Sequence, residues 1–195
     1  MPIQVERESN STKSRHVNPG YTDKEGLQQL IGSDRPMTTA DIVALRTFEG
    51  RTFAVGAVRN FSNLLPAGES LDIAIAWASG VSPRLTVSGL SSGNAEGFLY
   101  EGATVTGGMS VTAIALNRTS TNTSQSAVLI QPTVTNVGTL VLNQLLIGGS
   151  SKKAGGAEGN TGRLFLKPLT TYLFRVTNRD TNTAHAVEII LEWYE

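Results

Sequence analysis

Few side chains in this sequence are of a type that performs catalysis, and their spacing limits the chemistry to consider. The chain has 195 residues, no cysteine and two histidines, so we expect no thiolate nucleophile, no disulfide and no histidine-rich metal centre. Residues 89–93 (GLSSG) match the G-x-S-x-G pattern around the nucleophile of α/β-hydrolases, which makes Ser91 a candidate. That arrangement requires a helix directly after the serine. A strand-like segment follows here, so hydrolysis is the least favoured of three functions.

The other candidate acids and bases have simpler structural explanations. His185 shares a strand face with apolar residues, and we expect it at the rim of a core with one nitrogen satisfied. Glu96 and Glu101 are five residues apart near a turn, whereas a glycosidase requires two carboxylates at a defined separation across a cleft. We therefore predict that the protein is not an enzyme and has no cofactor and no metal site.

The charge balance bears on the class of partner. The chain has 16 basic and 16 acidic residues and a net charge of zero, so we expect no general attraction to nucleic acid or to an anionic membrane. Residues 1–20 lack the apolar core of a signal peptide, and no segment approaches the roughly 20 apolar residues that span a bilayer. The sequence favours a protein made in the cytoplasm without a signal peptide.

The chain divides into three segments of different composition, and these segments must position the candidate residues. Residues 1–60 hold 15 of the 32 charged residues, and β-type alternation begins after them. We predict a flexible N-terminal arm over residues 1–20, a short helical segment over 21–50 and a β-sandwich domain over 51–195. Capping patterns at Thr22 and Thr38 predict two short helices, the second of which ends at Gly50.

Strict alternation of apolar and polar residues predicts the strands of the third segment. Leu71, Ile73 and Ile75 alternate with smaller or polar residues up to Trp77, and the same pattern recurs from Tyr172 and from Val187 to Trp193. Turn residues punctuate the chain at short intervals, and no long helical pattern intervenes. The fold class predicted is mainly β, an antiparallel β-sandwich or jelly roll preceded by an extended arm and two short helices.

Two stretches depart from this alternation. Residues 138–148 (GTLVLNQLLIG) are apolar on both faces, which fits either a central strand covered on both sides or a strand whose outer face meets another subunit. In the second case the oligomer-interface candidates are Leu140, Leu142 and Leu146. Residues 148–162 are rich in glycine and contain Lys152 and Lys153, which we interpret as solvated charges on an exposed loop.

Four segments in order resemble a family of tailed-bacteriophage virion proteins. They are residues 98–102 (FLYEG), 117–120 (NRTS), 166–178 (LKPLTTYLFRVTN) and 191–195 (LEWYE). Proteins of this family are head-decoration or head-fibre proteins whose β-sandwich domains trimerise on the capsid. The resemblance covers roughly residues 53–195 and does not reach the arm or the two helices.

The resemblance implies a virion structural protein that attaches to the phage capsid. The expected partners are the major capsid protein and two further copies of this chain in a homotrimer, and the expected location is the virion. We expect residues 2–50 to anchor the protein while the β domain faces outward. The capsid-binding candidates are Val5, Glu6, Arg7, Glu8, Lys13 and Arg15. The alternative is a receptor-binding or carbohydrate-binding tip module of a virion fibre, which would use the glycine-rich loop and the Thr/Asn-rich turn at 117–126.

Overall fold

The structure of the chain, a computed structural model, describes residues 42–78, 80–147 and 164–195. The predictions for the arm, the first helix, the six capsid-binding candidates and the loop with Lys152 and Lys153 lie outside these residues. One helix and thirteen strands are described. They are α1 (Ile42–Phe48), β1 (Thr52–Arg59), β2 (Ser70–Trp77), β3 (Arg84–Ser91), β4 (Asn94–Glu101), β5 (Thr104–Thr106), β6 (Met109–Val111), β7 (Ile114–Ala115), β8 (Ser126–Ile130), β9 (Thr133–Asn136), β10 (Thr139–Ile147), β11 (Leu164–Phe165), β12 (Tyr172–Asn178) and β13 (Val187–Tyr194).

Two large antiparallel sheets enclose the main hydrophobic core. A two-stranded sheet of β5 and β9 packs on a smaller cluster formed by Ala74, Ala103 and Leu173. The first sheet has the strand order β11-β3-β13-β1-β7, and the second has the order β10-β4-β12-β2-β8-β6. Every strand pair in both sheets is antiparallel. The prediction of a mainly β, antiparallel, sandwich-like fold is confirmed. Among the described residues no helix is both long enough and apolar enough to cross a membrane.

The core consists of the residues that the alternation marked as inward-facing. On β13 the burial alternates along the strand, with Val187, Ile189, Leu191 and Trp193 each at most 2% exposed. The other predicted core positions, all buried, are Leu71, Ile73, Ile75, Trp77, Leu85, Val87, Tyr172, Phe174 and Val176. Period-two alternation predicts these faces because successive side chains of a strand point to opposite sides of the sheet.

Aromatic rings join the two sheets at the centre of this core. The rings of Trp77 and Trp193 meet edge to face with their centroids 5.8 Å apart, and Tyr172 meets Trp77 in the same manner at 6.4 Å. Trp77 and Tyr172 belong to the second sheet and Trp193 to the first. Edge-to-face pairs of this kind contribute about 0.5–1.5 kcal/mol beyond the area that they bury.

Helix α1 ends at a glycine, as its sequence predicts. The N–H of Gly50 donates to the carbonyl of Thr47 at 2.9 Å, and the N–H of Arg51 donates to that of Arg46 at 2.8 Å. With a φ of 70° at Gly50, this pair of bonds forms a Schellman motif. The side chain of Asn117 donates to the carbonyl of Phe48 at 2.8 Å, and Asn122 donates to the carbonyls of residues 49 and 50. The helix is therefore held against the sandwich by its C-terminal end.

Three stretches with a strand-like sequence are each divided into two strands in the structure. The stretch 98–106 breaks at Gly102, which has a φ of 77° and separates β4 from β5. The stretch 127–134 breaks at Gln131 (φ 50°), which Pro132 follows, and β8 of the second sheet ends there. The next strand, β9, pairs with β5 in a separate two-stranded sheet. Residues 109–117 contribute β6 to the second sheet and β7 to the first. Alternation alone does not reveal these breaks, because the residues on either side keep a strand-like pattern.

Candidate interaction surfaces

The G-x-S-x-G pattern at residues 89–93 lies at a β-hairpin and not at the strand-to-helix elbow of α/β-hydrolases. Strand β3 ends at Ser91 and β4 begins at Asn94, so a two-residue hairpin turn stands where the hydrolase elbow requires a helix. Ser91 is buried, and its hydroxyl accepts a hydrogen bond from the N–H of Gly93 at 3.2 Å. The serine stabilises the turn.

His185 lies at the rim of the core beside this turn. Its Nε2 bonds to the carboxylate of Asp180, and its backbone pairs with Leu65 in an isolated bridge. The His185 bond, with a further one from Asn94, lowers the pKa of Asp180 below its ordinary value. A side chain at Gly93 would collide with the imidazole ring, so the turn and the histidine fit closely together. The arrangement agrees with a structural histidine whose one nitrogen is satisfied.

Glu96 and Glu101 do not form a catalytic pair. Glu101 accepts hydrogen bonds from Lys167 Nζ at 2.6 Å and from the phenol of Tyr172 at 2.8 Å, and these bonds lower its pKa. Glu96 is ion-paired with Arg179. Five residues separate the two glutamates on one strand, and an odd separation places them on opposite faces of the sheet. Their carboxylates therefore cannot act on one bond.

The Thr/Asn-rich turn proposed for recognition serves the fold instead. Asn117 and Asn122 bind the end of α1, and the Ser124 hydroxyl donates to Oε1 of Glu195 at 2.5 Å. The same carboxylate oxygen accepts from Trp193 Nε1 at 3.1 Å. These polar groups are occupied within the domain, which weakens the case for this turn as a ligand-binding loop.

Among the described residues strand β10 lies at the edge of the second sheet, which contradicts the interpretation as a central strand. There it pairs with β4, and its register shifts between Leu140 and Leu142 at a β-bulge. The extra residue reverses the phase of the alternation. Leu140 consequently pairs with Tyr100, which packs against a small apolar cluster on the other face of the sheet, whereas Leu142 pairs with buried Leu99.

The bulge changes the list of interface candidates. Leu146 is 2% exposed and therefore offers no surface to another subunit, whereas Leu142 is partly buried and packs against the core. The apolar side chains that β10 does expose are Leu140 (50%), Val141 (46%) and Leu145 (57%). We call these three residues the β10 patch. The prediction is thus corrected for Leu142 and Leu146, while Leu140 remains exposed.

A second apolar surface is formed by helix α1 and the region of strand β7. Phe48 of α1 is 82% exposed, and Leu45, Ile114 and Leu116 are also exposed. The hydrogen bond from Asn117 to the Phe48 carbonyl brings the end of β7 beside the helix. We call these four apolar residues the base patch. No cluster of three or more potential metal ligands occurs in the described part of the chain.

Comparisons of the chain with protein-family models, with curated proteins and with solved structures give no match.

Proposed function

We propose that the protein is a virion structural protein that attaches to a phage capsid as a decoration or head-fibre component and acts as a homotrimer. The observation that carries the proposal is the β10 patch. Within the part of the chain that the structure describes, β10 is a long edge strand with exposed Leu140, Val141 and Leu145. Soluble proteins ordinarily protect such a strand or cover it with a partner. The resemblance of four segments to phage head proteins supports the same function.

The proposed fold is a jelly roll, with the arm and both helices preceding it. The path of the chain supports the jelly roll, because β1 to β4 alternate between the two sheets and the connection from β12 to β13 also crosses between them. Crossing connections of this type are typical of jelly rolls and Greek-key sandwiches.

The base patch supports attachment through residues 2–50. Its apolar side chains are exposed on and beside α1, the first described element after residues 2–41 in the chain, so Phe48 and Leu45 would be available to the same partner. Three copies in a trimer would multiply a modest affinity through effective concentration. The outward-facing part would then be the end of the sandwich that carries the β3–β4 turn.

Trimerisation is tested by a charge placed in the β10 patch. Leu145→Lys combined with Leu140→Lys should give a folded monomer by light scattering, because desolvating two ammonium groups at an apolar contact is costly. Leu169→Lys is the matched control, since Leu169 is 74% exposed in a turn outside both sheets. A trimer that survives the double change, or a wild-type protein that is monomeric at micromolar concentration, would overturn this part of the proposal.

Attachment is tested by deleting residues 2–20. Full-length and truncated proteins are added to purified capsids that lack the native protein, and occupancy is measured by sedimentation. We expect occupancy to fall while the truncated protein keeps its melting temperature. Unchanged occupancy would show that the arm is not the anchor.

A further inference from the structure

Gly56 has no role in the folding of its strand. It lies in β1, where it pairs with Ile190 of β13, and it is exposed on the outer face of the first sheet. The neighbour on the other side, β7, pairs only with Phe53 and Ala54. Its φ is not in the left-handed region, and an added Cβ would meet nothing nearer than the Ile189 carbonyl oxygen at 3.5 Å. Neither backbone conformation nor core packing therefore requires glycine here. A glycine inside a strand without such a reason often marks the close approach of a ligand or another backbone.

The surface beside Gly56 is a groove. Gly56 pairs with Ile190, and Ile190 pairs with Ser88 on its other side. Ile190 and Ser88 line an open depression of about 690 Å³, together with Val58, Leu90 and Phe61. This volume is within the range of about 300–1,000 Å³ that is typical of ligand pockets. Phe61 is 85% exposed and Val58 is 58% exposed, so the walls offer uncovered apolar surface.

Two carboxylates give the groove its chemistry. Glu188 lies between Val58 and Leu90 in the register of the sheet, and Glu192 follows four residues later on the same face. Both line the groove, and among the described residues neither has a hydrogen bond or an ion pair with a protein group. Arg59 also lines the groove, which leaves these three charges with a net value of minus one.

Along β13 the outer face thus presents an acid, an apolar residue and an acid at alternate positions. Glu188 and Glu192 are about 13 Å apart at about 3.3 Å per strand residue, with Ile190 midway. An extended segment lying along this strand would complement it with a basic, an apolar and a basic residue at the same spacing. Its central side chain would lie over Ile190, next to Gly56, which has no side chain to obstruct it.

The geometry points to a docking site for an extended segment of a partner protein that carries Lys or Arg at two positions four residues apart and an apolar residue between them. The basic residues of the segment would complement the two carboxylates. Its central apolar residue would contact the apolar floor of Ile190, Val58 and Leu90. The site is on the opposite sheet from the β10 patch, and it does not depend on the proposed virion function.

The test uses the full chain labelled with ¹⁵N and the peptide acetyl-Lys-Ser-Val-Ser-Lys-amide at up to millimolar concentration. We expect the amide signals of Gly56, Ser88 and Ile190 to shift on titration. The peptide with glutamate in place of both lysines is the charge control, and the peptide with serine in place of valine is the control for the apolar contact. Both should bind more weakly.

Variants of the protein separate the groove from other surfaces. Glu188→Gln combined with Glu192→Gln should weaken the lysine peptide about tenfold, since it removes two partly exposed ion pairs. Gly56→Val should fill the floor and abolish the shifts while the melting temperature does not fall. Glu69→Gln is the matched control on the surface away from the groove, and it should bind like the wild type.

Several results would overturn the inference. These are the absence of shifts at the groove amides, equal shifts with the glutamate peptide, or undiminished binding by the Gln double variant. If a panel of methyl glycosides shifts the groove amides and the lysine peptide does not, the groove is a saccharide site and the inference is wrong.

Discussion

At the scale of single residues, the two tryptophans of the core are alike in burial and unlike in hydrogen bonding. Trp77 and Trp193 are at most 2% exposed and lie in edge-to-face contact. Trp193 Nε1 donates to Glu195, whereas Trp77 Nε1 is buried without a hydrogen-bond partner in the described part of the chain. The unpaired indole N–H is a destabilising feature of an otherwise well-packed core.

This contrast predicts unequal effects of the same substitution. Trp193→Phe should destabilise the protein by about 1–3 kcal/mol more than Trp77→Phe, because the first loses a hydrogen bond and the second loses an unsatisfied donor. Both changes remove a similar volume from the core, so the cavity contributions largely cancel. Urea unfolding measures the difference. Equal destabilisation by the two substitutions would contradict the prediction.

Tyr172 predicts a loss of stability at alkaline pH. Burial of the phenol, followed by its hydrogen bond to the Glu101 carboxylate, raises the pKa of Tyr172 to about 12. Because the folded state prefers the protonated phenol, the contribution is complete below the unfolded pKa of about 10 and is lost as the pH rises towards 12.

The free energy of unfolding should therefore fall between about pH 10 and about pH 12, more steeply for the wild type than for Tyr172→Phe. Urea titrations at a series of pH values measure the slope. Parallel slopes for the two proteins would show that another group causes the alkaline transition.

At the scale of elements, positive φ angles and a bulge decide where chain segments end and which faces they present. Gly50 ends α1 in the left-handed region, and Gly102 ends β4 in the same way. The bulge in β10 turns Leu140 outward while Leu142 and Leu146 face the core. These local features convert a uniformly apolar stretch into one buried face and one exposed face.

Two glycines should respond in opposite directions to substitution by alanine. Gly50→Ala should cost at least about 1–2 kcal/mol, because a Cβ disfavours the left-handed conformation and would collide with Ser120. Gly56→Ala should stabilise the protein by about 0.5–1 kcal/mol, because its backbone already suits alanine. Thermal unfolding of both variants is the measurement. An increase in thermal stability from Gly50→Ala would contradict the assignment of a Schellman motif at the end of α1.

Two adjacent leucines test which face of β10 is buried in the core. Leu146→Ala should destabilise the subunit by about 2–5 kcal/mol, since it empties a buried site. Leu145→Ala should change the stability of the isolated subunit by less than about 0.5 kcal/mol. Denaturant unfolding under dilute conditions compares them. The reverse order of effects would place the bulge on the other side of Leu142.

At the scale of the whole molecule, zero net charge and uncharged apolar patches favour the proposed association of subunits. The sequence of β10, TLVLNQLLI, contains no charged residue, and the net charge of the chain is zero. Long-range repulsion between copies is therefore weak. The contact surfaces differ in this respect from the groove, where Glu188 and Glu192 lie among apolar walls.

Self-association should consequently be insensitive to salt, while binding of the basic peptide to the groove should weaken as the ionic strength rises. Light scattering and peptide titration at low and high salt test the two effects on one preparation. A trimer that dissociates when salt is added would show that ion pairs, and not the β10 patch, hold the subunits together.

The sequence by itself determined the features that depend on nearest neighbours along the chain. Alternation predicted the buried faces of β2, β12 and β13, and Gly50 was predicted as the end of a helix. These features are readable because side-chain alternation and a positive φ are properties of the local backbone.

Only the tertiary structure decided which strands lie side by side, and that in turn decided what is exposed. The apolar composition of β10 fits a central strand equally well, and its edge position in the described part of the chain is seen only in the pairing of the strands. The groove was missed for the same reason. The sequence shows Ile190 as an apolar residue between Glu188 and Glu192 on the polar face of β13. Its place in a groove depends on the pairing with Gly56, which lies more than 130 positions away in the sequence. Pairing between distant strands is set by the packing of the whole core, and local patterns do not encode it.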